Sequence, residues 1–326
     1  MNELHTTAVT SAYTEADQAQ IEYIVKWLEK HGKARAWLSK KAGIPGGTLS
    51  QILNGKYPSS PSVQLATCAD VLETEESRMA DGPAGYIKGS VHKLVTIVCD
   101  RTRKHANFGV VTGFVGVGKT RTLKEYRAAR SLTLLVEANP NMTPGVLMTE
   151  LLEQLGTTVP PGLDRKMREV VRAVSGTNYL IVVDEAEKLS GAALEYLRRI
   201  RDKAGVGVVL CGTEKLTALI KPEHGQFDQI RSRVSMWPQT IEAITRDDAD
   251  DMARAALDGL MHPDDAAADK VLDALWAYCS GSPRVLNESL IPALRDYGPA
   301  MGKALTPGLV DQVASKVLFM AKGGTP

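Results

Sequence analysis

No apolar run in this chain is long enough to cross a bilayer. One of the longest, Leu180-Ile181-Val182-Val183, has four residues where a spanning helix needs about twenty. The first residues, Met1-Asn2-Glu3-Leu4-His5, lack the basic-then-apolar pattern of a secretory leader. Cysteine is sparse: Cys68, Cys99, Cys211 and Cys279 lie far apart, with neither a CxxC pair nor metal-ligand spacing. They read as free thiols of a reducing cytoplasm, and none has a base nearby that would make it catalytic. Charge of one sign is missing too. Lys and Arg number 39 against 38 Asp and Glu, a net charge of +1, so any nucleic-acid footprint has to be local.

What is present is 326 residues, 44% hydrophobic and 24% charged, the composition of a soluble globular chain with room for two or three domains. Neither an internal repeat nor a low-complexity tract is visible. Residues 1–20 are polar and expected to fray. From Ile21 to Leu72 apolar positions recur at helical spacing, broken by glycine-rich turns. Glu73 to Gly89, with Asp81-Gly82-Pro83-Ala84-Gly85 at its centre, reads as a linker. Then Val110–Thr112, Thr133–Val136, Tyr179–Val183 and Val206–Leu210 read as buried strands separated by helices, which predicts a parallel α/β sheet covered on both faces. After Pro238 the pattern is helical, over Asp247–Leu260, Ala266–Cys279, Pro283–Tyr297 and Pro307–Met320. The expected domains are residues 1–80, an α/β core over 81–240 and a small helical lid over 241–326.

Gly113-Phe114-Val115-Gly116-Val117-Gly118-Lys119-Thr120 satisfies GxxxxGK[ST] between a strand and a helix. Glycines at 113, 116 and 118 let successive backbone N–H groups curl around phosphate oxygens, and the helix N-terminus adds partial positive charge. Lys119 is placed to reach the β- and γ-phosphates of ATP, and the Thr120 hydroxyl to coordinate Mg²⁺. The second element is Tyr179-Leu180-Ile181-Val182-Val183-Asp184-Glu185, a buried strand with two carboxylates at its C-terminal end, where ligands sit in open α/β sheets. On its own this is equally a strand followed by an acidic helix cap. Downstream of a phosphate loop it assigns Asp184 to Mg²⁺ and Glu185 to the water that attacks the γ-phosphate.

This pairing resembles the AAA+ ATPases, and the resemblance implies further positions. Val208-Val209-Leu210-Cys211-Gly212-Thr213 looks like the sensor-1 strand with Thr213 at its tip, where relatives often carry Asn. Arg231-Ser232-Arg233-Val234 looks like the arginine-finger segment, Arg233 being the better match and Arg231 the second. Gly281-Ser282-Pro283-Arg284 looks like the start of the sensor-2 helix, with Arg284 facing the nucleotide. Each arginine has a competing reading as one side of a surface ion pair. A finger that follows the last core strand is expected at the sheet edge opposite the phosphate loop, to be used by a neighbouring subunit.

Arg35 to Lys56 resembles the helix-turn-helix of phage repressors: Leu38 and Ala42 on one helix, a turn at Gly43, then Leu49, Ile52 and Leu53 packed inward and Asn54-Gly55 as the stop. Thr48, Ser50 and Gln51 are then expected in the major groove of double-stranded DNA, with Lys40 and Lys41 beside them. Lys26 to Lys56 holds seven Lys and Arg against the single acid Glu29, the local footprint that the balanced total conceals. A helical interaction module with a solvated basic face is the competing reading, and Gly46 and Gly47 favour backbone contact over sharp sequence readout.

The order of these elements is similar to the MuB family of phage transposition proteins, ATP-dependent target-DNA activators. Glu125-Tyr126-Arg127, Val182-Val183-Asp184-Glu185-Ala186 and Leu194-Glu195-Tyr196-Leu197-Arg198 carry the likeness with the phosphate loop, while Thr213 and Arg231 depart from it. The resemblance implies a phage- or mobile-element-encoded protein in a bacterial host, forming an ATP-bound homo-oligomeric helical filament on DNA. It also implies recruitment of a DDE transposase and DNA-stimulated hydrolysis. Arg165, Lys166 and Arg168, and Arg198, Arg199, Arg201 and Lys203, are two further basic groups that either touch phosphate or form solvated faces. Arg121, Lys124, Arg127 and Arg130 form a third, weaker stripe. An ATP-switched transcription regulator and a replication-initiator or helicase-loader ATPase are the alternatives left open.

Overall fold

The structure is a computed structural model and describes residues 13–80, 86–140, 142–221, 227–261, 264–300 and 305–323. Two compact units are present, Met1–Gly82 and Pro83–Pro326.

The first unit is helical: α1 (Glu15–Lys30), α2 (Arg35–Ala42), α3 (Gly46–Leu53) and α4 (Ser62–Ala80). The expected fraying up to residue 20 is corrected from Glu15 onward. The Thr14 hydroxyl accepts from the Asp17 amide while the Asp17 carboxylate accepts from the Thr14 amide, a reciprocal cap that starts α1 early. The linker expected from Glu73 is also corrected, because α4 continues to Ala80. Nothing between Glu73 and Ala80 breaks a helix, and the Gly-Pro cluster at 81–85 lies outside the described residues. At the α2–α3 turn Gly43 takes φ +66°, and Gly55 takes φ +69° after α3. Ile24, Trp27, Leu28, Leu38, Leu49, Ile52, Leu53 and Leu65 fill the core between the helices.

The second unit begins with α5 (Ser90–His105) and alternates thereafter: β1 (Phe108–Thr112), α6 (Lys119–Ala129), β2 (Thr133–Glu137), α7 (Pro144–Gln154), α8 (Leu163–Val174), β3 (Leu180–Asp184), α9 (Gly191–Ala204), β4 (Gly207–Gly212), α10 (Glu214–Ile220), α11 (Asp228–Arg231) and β5 (Val234–Met236). The strands form one parallel sheet in the order β2-β3-β4-β1-β5. Successive side chains point to opposite faces, so Leu180 and Val182 join one hydrophobic cluster while Ile181 and Val183 join the other. Burial on both faces is why these strands read as unbroken apolar runs. β5 is an addition to the four expected strands. It is three residues long and only partly buried, so it leaves little apolar signal.

The remainder comprises α12 (Arg246–Ala256), α13 (Asp265–Cys279), a π-helical turn at Val285–Leu290 leading into α14 (Ile291–Ala300), and α15 (Pro307–Gln312) with a second π-turn at Val313–Val317. The helix expected to reach Leu260 stops at Ala256, ahead of Gly259 at φ +80°. The π-turn before α14 precedes Pro292, which has no N–H for the helical ladder. These helices share one core with α5, α6 and a face of the sheet: Leu272, Leu275, Leu286 and Leu294 cluster with Val91, Val95, Leu123, Val111 and Val209. Among the described residues no helix is long and apolar enough to cross a membrane, and all four cysteines are free and buried.

Candidate nucleotide site

Parallel strands place their C-terminal ends on one side of the sheet, and the loop from Gly113 to Gly118 leaves β1 there and enters α6. Gly116 and Gly118 have φ of +86° and +96°, values at which a side chain would be strained. Gly113 is needed for a different reason. It runs beside Ile241, whose carbonyl oxygen would lie 2.9 Å from any Cβ at that position, and the Phe114 amide donates to that same carbonyl at 2.8 Å. The loop is thus glycine-lined where the main chain must curl or approach closely.

Lys119 is buried, and its ammonium donates to the carbonyl oxygens of Gly113 (2.7 Å) and Phe114 (2.9 Å). These carbonyls satisfy the charge with the kind of oxygen acceptor that a phosphate would supply. The Thr120 hydroxyl donates to Asp184 Oδ2 at 2.6 Å. Burial pushes the Asp184 carboxyl above its usual range, opposed by the Thr120 hydroxyl, the Glu185 amide and the Lys119 charge. The buried Asp184 carboxylate and the Thr120 hydroxyl are oxygen donors suited to a small hard cation, and the Lys119 ammonium suits phosphate.

Glu185 follows in the left-handed region at φ +54°, an uncommon conformation for a residue with a side chain. Its carboxylate forms an ion pair with Lys188. Thr213, after β4, does not stand alone: its hydroxyl and amide both donate to Oε1 of Glu187, at 2.8 and 3.2 Å. Sequence reasoning missed Glu187 and Lys188, although the acid three residues after Asp184 was a visible signal. Arg284 lies beside Gly116. Its Cβ would be 3.1 Å from a Cβ on Gly116, with Ser282 Oγ 3.7 Å away, so this turn lies over the phosphate loop. Its guanidinium is half exposed, 3.6 Å from Glu288.

The expectation that Arg233 follows the last core strand is corrected. Arg233 immediately precedes β5, and its carbonyl accepts from the amide of Phe108 at the start of β1. It therefore lies at the N-terminal end of the strands, remote from its own Gly113. Its side chain donates to Asp202 at 3.0 Å, and Arg231 pairs with Asp228 at 2.8 Å. The basic group on α9 is largely absorbed as well. Arg198 pairs with Glu195 and Asp202, Arg201 pairs with Asp202, and the Arg199 guanidinium lies over the Tyr196 ring. In the α6 stripe, Arg121 pairs with Glu125, Lys124 with Glu137 and Arg130 with Asp100.

On α8, Arg165 is exposed, whereas Lys166 donates to Thr149 on α7 at 2.7 Å. In the first unit, Lys40 and Gln51 are exposed, Thr48 and Ser50 are half-buried, and Lys41 lies 3.6 Å from Glu75. A cavity of about 760 Å³ is lined by Ser90, Val91 and Leu94 of α5 and by Gln239 to Ala243, among them Ile241, whose carbonyl accepts from the Phe114 amide.

Residues 101–220 match the protein family described as AAA domain. The second unit has the AAA+ P-loop fold. Over 210 residues the chain is 29% identical to the Mu-like prophage FluMu DNA transposition protein B of Haemophilus influenzae, across 62% of this chain and 72% of that one. It is 26% identical to the ATP-dependent target DNA activator B of Escherichia phage Mu over 185 residues, 55% of this chain and 58% of the relative. The resemblance to the Mu B proteins therefore holds beyond the motifs, although the match covers less than two thirds of the phage Mu protein. Among solved structures the AAA+ fold is similar to the Aeropyrum pernix ORC2 protein in its ADP form, with a TM-score of 0.55 and 17% identity, across 73% of this chain and 72% of that one.

Proposed function

We propose that this chain is an ATPase that binds double-stranded DNA with little regard to sequence, assembles on it as an ATP-dependent helical filament, and there recruits and activates a DDE transposase. The observation that carries the ATPase half is the Thr120–Asp184 hydrogen bond beside the glycine-lined loop. The DNA and transposition half rests on the relatives described as DNA transposition protein B and target DNA activator B.

In this reading the main chain at Gly113, Gly116 and Gly118, together with Lys119, holds the phosphates of ATP. Thr120 and Asp184 hold Mg²⁺, which when bound draws charge off the transferring phosphate. The cavity beside Ile241 takes the base and ribose. Glu185 orients and deprotonates the attacking water once it leaves Lys188. Thr213 and Arg284 meet the γ-phosphate from β4 and from the lid, and Arg233 serves the site of a neighbouring subunit. Residues 1–80 form the DNA-reading domain, 81–240 the ATPase core and 241–326 the lid. Lys40, Lys41, Thr48, Ser50 and Gln51 contact DNA from α2 and α3, and Arg165 with Lys166 from α8.

Electron microscopy of the protein with plasmid DNA, with and without ATP, tests the whole reading. Continuous coverage that requires ATP is the expected result. One protected palindrome on otherwise bare DNA would instead support an ATP-switched transcription regulator.

A further inference from the structure

Three residues after Asp184 comes a carboxylate to which none of the motifs gives a role. Glu187 lies in the 3-10 turn Ala186–Lys188 that follows β3. One of its oxygens, Oε1, accepts from both the hydroxyl and the amide of Thr213. The other, Oε2, is buried and has no hydrogen-bond partner among the described residues. The carboxylate lies against Gly212, where a Cβ would come within 2.1 Å of Oε2. Gly212 is therefore committed to leaving room for this acid.

The position of the contact gives it meaning. Main-chain pairing between β3 and β4 ends at Val183 and Leu210. Beyond that point β3 continues into Asp184 and Glu185, and β4 into Gly212 and Thr213. Of these, Asp184, Glu185 and Thr213 face the phosphates in the reading above. The Glu187 side chain joins the two strand tips past the last paired residues, beside a hydrogen bond between Cys211 and Asp184. A charged acceptor taking two donors from one residue fixes both distance and direction.

We propose that Glu187 is a positioning residue for ATP hydrolysis. It locks Thr213 to the turn that carries Glu185, so that the polar tip of β4 and the hydrolytic carboxylate approach the γ-phosphate as one unit. The inference rests on the site being an ATPase site. No hydrogen bond joins Glu187 to Lys119 or Thr120 among the described residues, so its loss affects turnover and spares nucleotide affinity.

The test measures turnover, nucleotide affinity and thermal melting for the full-length protein and for Glu187→Ala, Thr213→Ala, the double variant and Thr213→Ser. Glu187→Ala is expected to lower kcat about ten- to a hundred-fold, with affinity for a non-hydrolysable ATP analogue within about threefold of the parent. Thr213→Ala should show a similar loss, and Thr213→Ser should restore most of the rate. The double variant should be no slower than the slower single variant, because both remove the same link. Should Glu187→Ala fail to fold, Glu187→Met, which keeps the length of the side chain without its oxygen acceptors, takes its place with the same split expected between rate and affinity. A kcat within twofold of the parent, or losses that multiply in the double variant, overturns the inference while leaving the ATPase assignment intact. A parent protein that hydrolyses no ATP, with or without DNA, overturns both.

Discussion

Thr120 and Asp184 stand 64 positions apart in the chain, and their side chains meet at 2.6 Å. The hydroxyl opens α6 and the carboxylate closes β3, although β4 lies between β1 and β3 in the sheet. Strand order alone therefore does not make them neighbours. They meet because the phosphate loop brings the start of α6 over the C-terminal ends of the strands.

Binding and chemistry should separate at this site. Lys119→Ala removes the one ammonium buried in the loop and should abolish ATP binding, taking ATP-dependent DNA binding with it. Glu185→Gln should keep ATP and DNA binding but stop hydrolysis, since it preserves size and loses the base. Equilibrium nucleotide binding and phosphate release measure the two effects. Normal turnover in Glu185→Gln would remove that residue from the mechanism.

DNA affinity should fall steeply with salt and vary little with sequence. Deleting residues 1–82 removes the first unit whole and should weaken affinity while leaving ATP-dependent assembly. In Arg165→Ala/Lys166→Ala the larger effect should come from Arg165, because Lys166 is already engaged with Thr149. Loss of one phosphate contact lowers the slope of log affinity against log salt by about 0.9. An unchanged slope excludes this pair from the DNA surface.

Arg233 tests whether sites are shared between subunits. Its position before β5 and its pairing with Asp202 leave it far from its own phosphate loop. Arg233→Ala should bind ATP normally and hydrolyse it poorly, while Lys119→Ala should not bind it. Mixed on DNA, the two should recover activity above the sum of their separate rates, at junctions where one subunit offers the loop and the other the arginine. Co-assembly without recovery would assign Arg233 to the Asp202 ion pair alone and make Arg231 the next residue to test.

A pH dependence of stability should come from Asp248. Its carboxylate accepts from the amide of Ser90 at 2.9 Å and from the Ser90 hydroxyl, and it takes part in the reciprocal cap with Thr245 that starts α12. Burial alone would raise its pKa, but the bonds from Ser90 and Thr245 hold it below its ordinary value of 3.8. A lowered carboxyl stabilises the fold fully above the unfolded value, and that stability is lost as pH falls from 3.8 through the folded value. Asp248→Asn should cost about 2 kcal/mol at pH 7. Chemical denaturation at pH 7 and below the folded value should show the gap between variant and parent closing. A gap that is the same at both pH values would assign the loss to packing.

Some of this protein was determined by its sequence alone. The phosphate loop, the strand ending in Asp184-Glu185 and the four long strands of the sheet were legible there. Each depends on local chemistry: glycines that permit φ of +86° and +96°, and apolar runs that demand burial on both faces. Tertiary structure decided the rest. β5 was invisible because three half-buried residues carry no periodic signal, and its position moved Arg233 to the other end of the strands. The basic groups on α6 and α9 looked equivalent to any phosphate-binding stripe until their acidic partners came into place. Glu187 was one more acid after a strand until the fold set Thr213 against one oxygen and Gly212 against the other. Spacing along a chain records what a residue can do locally, but a charge acquires its role from the group across from it. That group is chosen by packing.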